Sequence, residues 1–134
     1  MKHFLIGVSI LASATATFAD TLSCKLTNLK SSGGYIPSEV ALKFDIDSRS
    51  VEFLKPKDLV DREGDTVEPE LITTDKGRLT FKTIAKSESI TGQKFKMNYR
   101  LTWIKKNNKA IVQAIPLGYS NRFRASGICQ HQAN

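Results

Sequence analysis

Apolar and polar residues alternate with a period of two along most of this chain. Leu22, Cys24 and Leu26 alternate with polar neighbours, and so do Val40, Leu42, Phe44 and Ile46. Val51 and Phe53 follow, then Leu79 and Phe81. The longest run is Phe95, Met97, Tyr99, Leu101 and Trp103, and Phe123, Ala125, Gly127 and Cys129 close the series. This period predicts strands with one buried and one wet face. Eight are expected, over residues 21–28, 38–47, 50–55, 69–74, 78–86, 93–105, 109–116 and 121–130.

The segments between the runs suit hairpins. Asp47-Ser48-Arg49, Asp75-Lys76-Gly77 and Lys106-Asn107-Asn108-Lys109 each supply residues that tolerate tight turns. Consecutive hairpins imply neighbouring antiparallel strands, and closure of such a meander removes its sticky edges. The expected fold is therefore all-β: one single-domain antiparallel meander of about eight strands, a small up-and-down barrel or β-roll. A two-sheet sandwich is the alternative.

The N-terminus reads differently. Lys2 is followed by the uncharged apolar run Phe4 to Ala12 and by small residues ending in Thr17-Phe18-Ala19. This is the layout of a secretion signal, with cleavage expected after Ala19 and Ala16 as the second choice. The apolar run is too short for a membrane span, which takes about 20 residues. The expected division is thus a signal peptide over 1–19 and a β-barrel-like domain over 20–134, exported to the periplasm or beyond.

Two cysteines in an exported chain predict one disulfide, Cys24 to Cys129, which would draw the first and last strands together. Catalytic chemistry is sparse. His131 is the only histidine of the mature part, expected in a frayed tail, so neither a nucleophile–histidine set nor a Cys/His metal site can be assembled. No phosphate-cradling glycine loop occurs. An enzyme is not expected, and no cofactor or metal is implied. The acidic residues Asp58, Asp61, Glu63, Asp65, Glu68 and Glu70 read as a solvated loop, with a cation site or a protein-binding loop as alternatives.

Charge is divided unevenly. Residues 20–75 carry seven Lys/Arg against twelve Asp/Glu, whereas residues 76–134 carry twelve Lys/Arg and one acid, Glu88. Asymmetry of this kind points to a partner rather than to the fold. With the apolar phase inward, Arg78, Lys82, Lys94, Lys96, Arg100, Arg122 and Arg124 face outward on neighbouring strands. These are the candidate binding residues, for an anionic envelope component or an acidic protein. Nucleic acid is not expected in that compartment. Pairing through the Lys106–Lys109 turn also places Ile104, Ile111 and Ile115 outside, and Tyr119 and Phe123 near the barrel mouth. Trp103 and Tyr99 are expected in the core.

Trp103 followed by Lys105, Lys106, Lys109 and Ala110 resembles a Trp…Lys…Ala segment of periplasmic lysozyme inhibitors, whose small antiparallel plan with a disulfide is similar. The cysteine placement departs from theirs, and no site residue is carried over. The resemblance implies an inhibitor of a lysozyme-like hydrolase as an alternative function, beside a lipocalin-like carrier of a small ligand.

Overall fold

The structure, a computed structural model, describes Gly7, residues 19–56, residues 69–73, Asp75 and residues 77–133. Most of residues 1–19, the expected signal, and residues 57–68 of the acidic segment lie outside the described residues. Eight strands form in chain order: β1 (Asp20–Asn28), β2 (Glu39–Asp45), β3 (Ser50–Lys55), β4 (Glu70–Thr73), β5 (Arg78–Glu88), β6 (Lys94–Ile104), β7 (Lys109–Pro116) and β8 (Phe123–Gln132). They make one antiparallel sheet in the order β3-β2-β1-β8-β7-β6-β5-β4. The sheet curls into a nearly closed barrel, as the alternation predicts.

Two of the turn residues take the left-handed conformation expected of them: Gly77 has φ 76° and Asn108 has φ 56°. Asn108 fixes the β6–β7 register, so that Ile104 pairs with Lys109 and Trp103 with Ala110. The chain ends meet where β1 pairs with β8. There Cys24 lies directly opposite Cys129, and the two are bonded. The edges β3 and β4 approach each other at a seam. Arg49 crosses it by donating from Nη2 to the Leu71 carbonyl at 2.6 Å.

The inward phase of every strand fills the barrel. Leu22, Leu42, Phe44, Phe81, Met97 and Trp103 are all buried, with Phe44 touching both Phe81 and Trp103. The space left beside Val40, Phe53, Leu101 and Val112 is about 10 Å³. That is about the least that one water needs. Gly127 also belongs to this inward phase. A Cβ there would collide with the Lys25 carbonyl oxygen and lie 2.6 Å from the Leu26 Cα, so only glycine lets β8 pack this closely at the bulge between Leu26 and Asn28.

Two expectations are corrected. Ile46 is 41% exposed, because β2 ends at Asp45 and the turn takes Ile46 out of phase. His131 is no frayed tail residue. It continues the inward phase of β8 opposite Leu22, its ring lies 4.8 Å from that of Trp103, and its Nε2 stands 3.0 Å from Asp20 Oδ2. Packing and this polar contact hold the last turn of strand in place.

Candidate binding surface

The outward phase of β5 to β8 is built by ladder register. Lys82 pairs with Arg100, Arg100 with Gln113, and Gln113 with Arg124. Three of the seven candidate cations therefore share one row across four strands. Two rows toward the mouth, past Ile84 and Asn98, Lys86 stands opposite Lys96, and beyond it Glu88 stands opposite Lys94. Arg78 begins the opposite end, in a row with Ile104 and Lys109. Arg122 precedes β8 in the β7–β8 loop and is exposed.

Lys86 was missed as a site residue, although the alternation through Thr83 and Ala85 marks it as outward. Residues directly opposite in a ladder have Cβ atoms about 5 Å apart, and like charges there are destabilising. Lys82–Arg100 and Lys86–Lys96 are both such pairs. Relief is slight: Lys82 Nζ lies 4.0 Å from Glu70 Oε1, a contact whose carboxylate side chain is 57% exposed. An exposed pair at that distance contributes less than about 1 kcal/mol.

Between the cations lie β-branched residues. Thr80 and Thr102 meet through their hydroxyls at 3.1 Å, and Thr102 pairs with Ile111. Ile84, Asn98 and Ile115 form the next such row. These isoleucines are half-buried, and lysine and arginine stems on the adjoining rows supply cover of this kind. Ile104, Ile111 and Ile115 thus take the outward register expected for them, as part of a mixed face.

At the mouth three connections converge: residues 29–38, residues 89–93 and residues 117–122. The first is tightly held. The Arg124 N–H donates to the Ser31 carbonyl, and the Tyr99 hydroxyl donates to the Tyr35 carbonyl, each at 2.8 Å. Ser32 and Ile36 are buried. Tyr35 is wedged between two rings, edge-on to Phe95 at 5.7 Å and tilted against Phe123 at 4.8 Å. Gly33, at φ 59°, lies so close to Phe123 that a Cβ would come within 2.5 Å of its ring. A cleft of about 170 Å³ opens beside Tyr35, Phe95, Tyr119 and Phe123. The polar side chains at its rim include Ser89, Gln93 and Asn121; Gln93 Nε2 donates to the Tyr119 hydroxyl at 3.3 Å.

Among the described residues, no group of three or more His, Cys, Asp or Glu is placed to hold a metal ion, and no helix is long and apolar enough to cross a membrane. The disulfide fits an oxidising compartment. Comparison of the chain with protein-family models, with curated proteins and with solved structures gives no match.

Proposed function

We propose that this chain is an exported, non-catalytic binding module that meets an anionic envelope component through the outer wall of β5 to β8. The observation that carries the reading is the register of that wall: Lys82 opposite Arg100 and Lys86 opposite Lys96. A sheet gains nothing from placing like charges face to face. A polyanion laid across the rows would relieve the repulsion, and the single acid on these strands, Glu88, lies at one end.

The remaining features agree. The signal-like N-terminus and the disulfide fit export.

The test is retention of the oxidised protein on immobilised polyglutamate and on envelope extract, eluted by salt. Wild type should bind at low salt and release steeply as salt rises, because exposed charges are screened within about 10 Å at 0.1 M. Lys96→Glu with Arg100→Glu should abolish retention on both. Equal retention of wild type and variant would sink the proposal.

A further inference from the structure

The mouth cleft is a second site with its own chemistry. Four aromatic rings frame an opening of about 170 Å³, in the position where barrels take small ligands. Its shape is fixed in advance. Tyr35 is pinned through its carbonyl by Tyr99, and Phe123 is held against the backbone of Gly33. Tyr119, at 54% exposure, leaves its ring open to a partner.

The polar groups at the rim are neutral: the amides of Gln93 and Asn121 and the hydroxyls of Ser89 and Tyr119. Aromatic faces beside amides and hydroxyls match a pyranose ring, which offers an apolar C–H face and a margin of hydroxyls. A lipid chain would want a deep slot without such a margin. Charge at the edge narrows the class further. Lys94 and Arg122 adjoin the lining residues Gln93 and Asn121 in sequence, and both are exposed. The Lys86–Lys96 row leads from the wall toward this end.

We infer that the mouth cleft binds one sugar ring of an acidic polysaccharide, whose chain continues along the β5–β8 wall. The inference rests on the wall reading for the chain and on the cleft alone for the ring. It assigns the anionic component to uronic-acid-type glycans.

The experiment compares two polyanions of similar charge, oligogalacturonate and polyglutamate, by calorimetry at low salt. The proteins are wild type, Tyr119→Ala and Arg100→Glu. Both side chains are exposed, and cooperative melting with midpoints no lower than wild type would confirm that the variants are folded. Wild type should prefer the sugar polymer. Tyr119→Ala should weaken oligogalacturonate about tenfold, the scale of one aromatic contact, and leave polyglutamate unchanged. Arg100→Glu should weaken both. Equal affinities untouched by Tyr119→Ala, with Arg100→Glu still effective, would overturn the sugar site and spare the wall. Sugar binding lost only in Tyr119→Ala would overturn the wall and keep the cleft. Capture by phosphatidylglycerol vesicles in preference to both polymers would overturn the glycan assignment.

Discussion

At Gly127 one hydrogen atom decides whether the barrel closes. The residue faces inward, where β8 passes over the Lys25–Leu26 peptide, and any Cβ would strike backbone rather than a movable side chain. Gly127→Ala should therefore destabilise by at least about 3 kcal/mol, read from the urea midpoint, since no rotamer change relieves the clash. Trp103 gives the opposite lesson. It is 2% exposed, yet its Nε1–H has no hydrogen-bond partner among the described residues. A buried donor left unmade carries a desolvation cost of about 1–3 kcal/mol. Trp103→Phe removes that cost while giving up part of the packing against Phe44 and His131. The two terms oppose each other, so the net change should stay within about 1 kcal/mol. Phe81→Ala, which only removes packing from a fully buried site, should cost about 3–5 kcal/mol in the same assay. A large loss in Trp103→Phe would mean that the indole N–H is engaged after all.

Among the elements, β6 carries both the longest inward run and the outward cations, so its two faces can be separated by mutation. Arg100 stands between Lys82 and Gln113. Arg100→Glu replaces a repulsive cross-strand pair by an attractive one and should raise stability by about 0.2–1 kcal/mol at low salt. The gain should fade as salt rises. The same variant should lose polyanion binding, so a more stable but non-binding protein is the expected outcome. A variant that is less stable would show that the wall is tuned for the sheet itself. The strands were legible because alternation survives on one face whatever the other face carries. All eight were expected, and Asn107-Asn108 set the register that sends Ile104, Ile111 and Ile115 outward. Their ends were less so. Ile46 continues the alternation in sequence, but the chain has left β2 and entered the turn there, and alternation alone does not say where a ladder stops. His131 was legible in principle, since it continues the phase of Gly127 and Cys129, but its tail position argued for fraying. Tyr35 was not legible: it sits in a segment without period, and Tyr99, which holds it, is 64 residues away.

For the whole molecule the question is what joins the two ends of the meander. The β1–β8 ladder runs from Thr21–Gln132 to Asn28–Ser126, and the Cys24–Cys129 bond lies within it, linking residues 105 apart in sequence. The ladder belongs to the folded state, whereas the bond chiefly restrains the unfolded one. The pairing of β1 with β8, the burial of Leu22 and Leu26 and the Asp20–His131 contact do not need the bond for their geometry. Replacing both cysteines by alanine should therefore preserve the far-ultraviolet signature of the sheet at 25 °C. It should lower stability by about 2–5 kcal/mol, or the melting midpoint by roughly 10 °C or more for a domain of this size. Polyanion binding should survive, because Cys129 faces the core of β8 while the cations of the wall face outward, and β5, β6 and β7 carry no cysteine. If the double variant instead fails to fold, the ladder is too weak to close the barrel unaided, and export into an oxidising compartment becomes a condition of folding. If it folds but no longer binds, the wall depends on closure at β1–β8, and the binding surface belongs to the barrel as a whole rather than to four of its strands.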